Sequence, residues 1–225
     1  YITPFFKPLV TTLFAFLSFV ASLAFGNHVL KHLPSIDFRA YKIGDNLIQN
    51  MSTPENAPKA IQEFTWVFNV YGEEKTIITD GSYPTIDGEY VSVETKVVDE
   101  GYQPPILDFS IESEDEDLTD VFLAKGKLIM IVSYNLDTAE KEGLQKLKSL
   151  SKKAKSKGYT VIGLSASGKN TIAKTNKTYG LDFEFYLCDE KALKTVVRSN
   201  PGVLELNQGT VRQKVHWNDI ENLDL

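Results

Sequence analysis

The sequence predicts an α/β fold, in which a mixed sheet carries helices on both faces and follows a transmembrane helix and a small antiparallel β meander. Three patterns in the C-terminal half lead to this class. Residues 128–132 (LIMIV) are a continuous apolar run, typical of a strand buried on both faces of a sheet. Residues 143–157 place apolar side chains three or four positions apart, which predicts an amphipathic helix. Residues 202–216 are two strand-like segments around Asn207-Gln208-Gly209, which predicts a terminal hairpin.

Composition limits the classes of partner and site. The chain has 225 residues, 42% of them hydrophobic, and a formal net charge of -6, which argues against a nucleic-acid partner because phosphates require a basic face. The acidic run 112–117 lacks the spaced ligands and ordering glycine of a cation loop, so we interpret it as solvated. A single cysteine excludes an intrachain disulfide and a cysteine-based zinc site. We predict no metal and no cofactor.

The N-terminal region predicts a membrane-spanning helix within residues 1–32. Leu9 to Gly26 contains no charged side chain and continues to Leu30, which is about the length that crosses a bilayer core. A cleaved signal peptide is the alternative, favoured by small residues near position 22. Against it, the chain begins without Met, only Lys7 precedes the apolar run, and Phe25-Gly26 is a poor cleavage site.

Three further regions follow the helix. Residues 33–62 are interrupted by proline and glycine and are interpreted as a juxtamembrane linker. Residues 63–103 contain three alternating segments, 63–70, 75–79 and 90–98, and form the predicted meander. Residues 104–225 form the α/β domain.

Strands and helices alternate along this domain before the hairpin. Beyond those named above, strands or extended segments are predicted at residues 106–111, 159–164 and 183–187, and helices at 170–179 and 190–197. This order is that of a thioredoxin fold.

Several local sequences carry a family resemblance. Pro105 to Ile111 followed by Lys125 to Val132 resembles the opening of the redoxin and TlpA-like families, and Asn200-Pro201-Gly202 resembles their cis-proline segment. Residues 33–44 and 186–202 are similar to a Bacteroidetes membrane family that joins a DoxX-like (MauE-like) four-helix domain to a thioredoxin-like domain. The resemblance implies that the first helix is the last of such a bundle.

The reactive cysteine of the resembled families is missing. They carry Cys-x-x-Cys or Thr-x-x-Cys after the first buried strand, where this chain has Ser133, Tyr134 and Asn135, so neither redox nor peroxidase activity transfers to these positions. Cys188 lies elsewhere. It is a candidate reactive thiol if Lys191 or Lys194 lowers its pKa, and otherwise a small buried residue.

Two other polar patterns have weak functional interpretations. Residues 165–168 (SASG) lack the residues of a nucleophile elbow or phosphate loop and are interpreted as a turn into a helix. His28 and His32 are spaced to share a helix face, where they would hold a metal or quinone headgroup, or simply lie at the membrane interface.

Two functional hypotheses remain. The first is a redox-inactive thioredoxin-like module at the bacterial inner membrane, with the bilayer and other membrane or envelope proteins as partners. Its predicted partner-binding groove beside the cis-proline comprises Ser133, Tyr134, Asn135, Asn200, Pro201 and Gly202. The second is a substrate-positioning domain of a DoxX/MauE-like redox enzyme, using thiol or quinone chemistry, whose reactive groups lie upstream.

Two observations give opposite indications of the side of the membrane on which the α/β domain lies. Lys31, Arg39 and Lys42 follow the helix while Lys7 alone precedes it, which places the domain in the cytoplasm by the positive-inside rule. Resemblance to tethered redoxins implies the periplasm instead, and we expect the periplasm because upstream charges are missing from the count.

Overall fold

The computed structural model describes residues 8–225. They form two compact units, one combining the chain up to Asn50 with Asp108–Leu225 and the other comprising Met51–Leu107. The first unit contains helices α1 (Pro8–Lys31), α2 (Leu47–Met51), α3 (Thr119–Leu123), α4 (Lys141–Ser156), α5 (Lys169–Tyr179) and α6 (Glu190–Val196), strands β4 (Leu128–Val132), β5 (Thr160–Ser165), β6 (Glu184–Leu187), β7 (Gly202–Asn207) and β8 (Thr210–His216), and a terminal 3-10 helix (Trp217–Asn222). The second contains β1 (Ile61–Val70), β2 (Glu73–Thr79) and β3 (Glu89–Asp99).

Helix α1 is long and apolar enough to cross a membrane. This helix contains the 23-residue apolar stretch Leu9–Lys31. None of the residues in the most apolar part of that stretch is buried within the protein. Large apolar side chains such as Phe14, Phe19 and Leu23 are therefore exposed. This is consistent with a membrane anchor. Lys7, used above to count charges, lies outside the described residues.

The larger sheet has five strands in the order β6-β5-β4-β7-β8. Strands β4, β5 and β6 are parallel, whereas β7 is antiparallel to both β4 and β8. Every residue of the central strand β4 is buried, as its unbroken apolar run requires. The prediction of a thioredoxin-like mixed sheet is confirmed.

Helices cover both faces of this sheet. Ile129 and Ile131 share one apolar cluster with the α4 residues Leu144, Leu147 and Leu150. Because side chains alternate along a strand, Leu128 and Met130 point to the opposite face, and both are fully buried. Leu193 and Val196 of α6 are also fully buried, outside the α4 cluster.

The smaller sheet is antiparallel as predicted, but it is not a meander. Its strand order is β2-β1-β3, with β1 in the centre. Phe68 of this strand is 1% exposed, and Trp66 packs edge-on against Tyr83 with ring centroids 5.0 Å apart. The strand richest in large apolar side chains therefore occupies the central position, where neighbours on both sides shield it.

The strand predicted at 106–111 is also absent from the described sheets. The Ile111 N–H donates to the Thr119 hydroxyl over 2.8 Å, so it takes a side-chain partner instead of a strand partner. In the described residues, pairing next to this segment consists of two isolated bridges of Glu112, one with Asp117 and one with Leu187, and Glu112 and Leu187 exchange backbone hydrogen bonds of 2.9 and 2.8 Å.

The first part of the predicted linker 33–62 is attached to the larger unit. The Gly44 N–H donates to the Val211 carbonyl over 2.8 Å, and the Leu47 N–H donates to the Gly209 carbonyl over 2.9 Å. Leu47 is completely buried. The part of the linker that lies nearer to α1 is attached by a salt bridge of 2.7 Å between Asp37 and the buried Lys214. These contacts leave little free chain between α1 and the sheet.

Candidate partner-binding site

The predicted groove lies where β4 ends, α4 begins and the chain enters β7. The Ser133 N–H donates to the Leu164 carbonyl over 2.9 Å, which extends the parallel pairing of β4 with β5 by one residue. The Asn200–Pro201 peptide bond is cis and immediately precedes β7. Because β4 and β7 are neighbours, this arrangement brings Ser133 beside Asn200, as the sequence predicted.

A buried hydrogen-bond network joins these two residues. The Ser133 hydroxyl donates to Oδ1 of Asn200 over 2.7 Å. Nδ2 of Asn200 donates to the Asn135 carbonyl over 2.7 Å and to the Thr138 hydroxyl over 3.4 Å. Ser133 is fully buried and Asn200 is 7% exposed. Both ends of the Asn200 amide therefore have partners within the protein.

The backbone around the cis-proline is engaged as well. The Glu140 N–H, at the N-cap of α4, donates to the Asn200 carbonyl over 2.8 Å. The Leu136 N–H donates to the Ser167 hydroxyl over 2.9 Å. An extended peptide that paired with the Asn200 carbonyl would have to share it with the Glu140 N–H.

Pro201 and Gly202 are buried beneath α4. A Cβ atom built on Gly143 would lie 2.8 Å from Cδ of Pro201 and 2.9 Å from Cβ of Trp217, distances that real Cβ atoms do not reach. Gly143 thus permits a close approach of α4 to the proline, and Trp217 closes the same contact from the terminal 3-10 helix.

Only Tyr134 and Asn135 of the six predicted groove residues are partly exposed. The ammonium group of Lys194 lies 5.2 Å from the centroid of the Tyr134 ring and forms a 2.7 Å salt bridge with Glu190. Oδ1 of Asn135 accepts the Asp137 N–H over 3.0 Å and the Thr138 N–H over 3.3 Å. We call Tyr134, Asn135 and Lys194 the Tyr134 surface.

Cys188 lies in a buried environment. It is 2% exposed, and burial raises the pKa of its thiol to about 11, with the Asp189 carboxylate adding to the rise. Lys194 is engaged with Glu190. The pKa thus moves opposite to the direction that a reactive thiol requires, and the environment matches the alternative of a small buried residue.

His28 and His32 share a helix face, as their spacing predicts. Their rings stack with centroids 4.6 Å apart. Nδ1 of His32 pairs with the Asp219 carboxylate over 2.8 Å, which joins the end of α1 to the 3-10 helix. Within residues 8–225 no cluster of three or more His, Cys, Asp or Glu side chains could hold a metal ion.

Several residues of this site were missed by the sequence analysis. Thr138 and Glu140 hydrogen-bond to Asn200, Ser167 accepts the N–H of the neighbouring Leu136, and Trp217 lies with Pro201 against Gly143. Gly143 was the one available signal, because a glycine inside an amphipathic helix costs about 1 kcal/mol and is retained where backbone or side chains approach closely.

The sequence matches no protein-family model and no curated protein. Among solved structures, it is similar to a thiol:disulfide interchange protein from Bacteroides sp., with 15% identity, a TM-score of 0.39 and coverage of 51% of this chain and 81% of that one. StoA from Bacillus subtilis matches with 19% identity, a TM-score of 0.34 and coverage of 48% and 84%. Reduced Prx3 from Vibrio vulnificus matches with 9% identity, a TM-score of 0.38 and coverage of 48% and 80%.

Proposed function

We propose that this chain is a membrane-anchored thioredoxin-like module that performs no thiol chemistry and binds a partner protein or peptide. The observation that carries the proposal is the closed polar junction after β4. A serine hydroxyl donates there to a buried asparagine over 2.7 Å, and the only cysteine of the chain is buried elsewhere with a raised pKa. Thiol exchange requires an accessible thiolate, which neither position provides.

The attachment of α1 supports a position at the membrane surface. His32, one residue after α1, pairs with Asp219, and Asp37 pairs with Lys214. The larger unit is thereby held within a few residues of the candidate membrane span. The resemblance of residues 33–44 and 186–202 to the DoxX-like membrane family supports the same placement, at the bacterial inner membrane with the domain on the periplasmic side. Other membrane or envelope proteins are then the natural class of partner.

The Tyr134 surface combines the two partly exposed residues of the predicted groove with Lys194, and a partner reaches it first. Ser133, Asn200, Pro201 and Gly202 are buried and support it from beneath. Tyrosine offers a large rigid contact area with a polar tip, a combination that is enriched in interfaces. The partly exposed side chain of Asn135 adds hydrogen-bonding groups beside the tyrosine.

Photo-crosslinking in intact cells tests the location of the partner. Tyr134→p-benzoylphenylalanine in the full-length protein is expected to yield a discrete crosslinked species. Tyr179→p-benzoylphenylalanine is the matched control, since Tyr179 is also partly buried but lies on α5. The binding surface is misplaced if both positions give the same crosslinks, or if only the control does.

A disulfide-reduction assay tests the absence of thiol chemistry separately. The full-length protein in lipid nanodiscs is expected to reduce a disulfide-linked reporter no faster than the reductant alone, and Cys188→Ser is expected to be indistinguishable from the natural sequence. Turnover that depends on Cys188 would refute the proposal and favour a redox enzyme.

A further inference from the structure

Strand β3 presents an unusually long free edge. It runs for 11 residues, Glu89–Asp99, and all 11 are exposed. In the order β2-β1-β3 it pairs only with β1, so its other side has no strand neighbour in the part of the chain that is described. A free edge of this length is a template for another strand, and native proteins usually shorten or cover such edges.

The centre of this edge is regular. Ser92–Val97 pair one to one with β1, while irregularities at either end leave Val91 and Val98 without a partner in the register. Val93 and Val97 are 38% and 50% exposed. The segment is therefore free of bulges, and its valine side chains are partly exposed to solvent.

Symmetry restricts how this segment can pair with the same segment of a second copy. Two adjacent antiparallel copies of one strand are related by a two-fold axis normal to the sheet, so directly opposed residue numbers must add to an even sum. Three such registers centre on the middle of the segment. A centre at Glu94 sets two glutamates opposite each other, and a centre at Lys96 sets two lysines opposite each other, both of which are repulsive.

The third register, centred on Thr95, is self-complementary. It sets Glu94 opposite Lys96 of the second copy, and Val93 opposite Val97 of the second copy, each pair occurring twice. Val93 and Thr95 lie opposite Trp66 and Phe64 of β1, so the valine pairs continue the aromatic face of the sheet. Opposite charges and apolar pairs directly across a ladder are the combinations that stabilise antiparallel pairing.

We propose that β3 pairs with β3 of a second copy of this chain, antiparallel and centred on Thr95, to form a continuous six-stranded sheet. This interface lies in the smaller unit. It is independent of the Tyr134 surface and does not rest on the proposed function.

Charge reversal of the full-length protein in lipid nanodiscs or detergent tests the register. Glu94→Lys and Lys96→Glu are each expected to weaken dimerisation at least tenfold, because each sets like charges opposite one another. The double variant is expected to dimerise as the natural sequence does. An equimolar mixture of the two single variants is expected to form the mixed dimer, in which every opposed charge is again complementary. Glu74→Lys, on the exposed edge strand β2, is the control and is expected to leave dimerisation unchanged.

A disulfide test reports the geometry directly. In the proposed register the two Thr95 Cα atoms are about 4.5–5.5 Å apart, within the range of a disulfide, so Thr95→Cys is expected to crosslink under mild oxidation. The two Ser92 positions are offset by six residues, about 20 Å, so Ser92→Cys is expected to remain unlinked. Trp66 fluorescence confirms that each variant is folded.

Three outcomes would overturn the proposal. They are a monomeric natural protein, a dimer that is insensitive to both charge reversals, and crosslinking at position 92 in place of 95. The second outcome would assign association to another surface, such as α1.

Discussion

The hydroxyl of Ser133 donates to Oδ1 of Asn200 over 2.7 Å, and this bond joins the end of β4 to the residue before the cis-proline. The two residues are 67 positions apart in the sequence. The same Asn200 amide reaches Asn135 through its nitrogen, so a single side chain closes the junction on both sides. The site therefore has a defined polar core where the resembled families have sulfur.

This bond predicts a measurable loss of stability. Ser133→Ala leaves the buried Oδ1 of Asn200 without its donor, and we expect the free energy of unfolding to fall by about 1–3 kcal/mol. Chemical denaturation of the full-length protein in detergent, followed by tryptophan fluorescence, measures it. Ser149→Ala removes an exposed hydroxyl on α4 and is expected to change stability by less than about 0.5 kcal/mol. Equal effects of the two substitutions would show that the Ser133 bond contributes little.

We also expect Gly143→Ala to lower the stability of the protein, although helix propensity alone would favour alanine. Alanine in a helix interior is normally favoured over glycine by about 1 kcal/mol. Here the new Cβ would lie 2.8 Å from Pro201 and 2.9 Å from Trp217, so we expect Gly143→Ala to destabilise the protein by about 1–3 kcal/mol. Gly126→Ala, which meets no atom within 4 Å, is the control for the substitution itself. A stabilised Gly143→Ala variant would show that α4 is free to move away from the proline.

We expect the thiol of Cys188 to resist chemical modification. Burial raises its pKa to about 11 from an ordinary value of 9.0, so the folded state holds the proton more tightly than the unfolded state between these values. The contribution of Cys188 to stability is therefore expected to fall as pH rises above about 9. Alkylation at pH 8 is expected to proceed only at the rate of local unfolding, and to become fast in denaturant. Rapid labelling of the folded protein at pH 8 would contradict the buried assignment.

The sequence predicted those elements whose causes are local. The apolar run of β4 requires burial on both faces. The β7-β8 hairpin is set by Gln208 and Gly209, which have φ values of 48° and 75° and so adopt the left-handed conformation that such a turn needs. Helices α4 and α5 follow from their apolar spacing and end at glycines, with Gly180 as a left-handed cap.

The elements that were missed depend on partners far away in the sequence. The alternation in β1 predicts a strand but contains no information on which neighbours flank it, so the central position of β1 was not evident. The six predicted groove residues do lie together, but four of them are buried, and Glu140, Gly143 and Trp217 contribute to the burial of Asn200 and Pro201. These contacts close the site through tertiary packing, which a local pattern does not report.

The Asp37–Lys214 pair predicts how pH affects the attachment of the segment after α1. Nζ of Lys214 lies 2.7 Å from Asp37 and 3.0 Å from the Tyr41 carbonyl, and its side chain is 3% exposed. Burial opposes ionisation of Asp37, but hydrogen bonds from Arg39 and Lys214 outweigh it and lower the pKa of the carboxyl below its ordinary value of 3.8. Burial lowers the pKa of Lys214 to about 8, although its bond to Asp37 acts in the other direction.

The directions of the pKa shifts of Asp37 and Lys214 determine whether each residue's contribution to stability rises or falls with pH. Because the folded-state pKa of Asp37 is depressed, its contribution to stability is present above pH 3.8 and is lost as pH falls through the lower folded value. The pKa of Lys214 is lower in the folded state, so the unfolded state binds more protons at Lys214 between pH 8 and 10.5, and the contribution of Lys214 to stability rises across that window. Measuring the free energy of unfolding from pH 2 to 10 separates the two effects.

Substitution of the pair tests the same assignment. Asp37→Asn leaves the buried Lys214 charge without its counter-ion, and we expect a loss of about 3 kcal/mol near pH 7 together with a weaker dependence on pH below 4. The double variant Asp37→Asn, Lys214→Met removes the orphaned charge and is expected to recover part of that loss. Asp87→Asn, an exposed carboxylate in the smaller unit, is expected to change neither quantity. An Asp37→Asn variant as stable as the natural protein at pH 7 would mean that the Asp37–Lys214 pair contributes little, and that other contacts of the segment, such as the backbone bonds to Gly209 and Val211 and the His32–Asp219 pair, are sufficient to hold it.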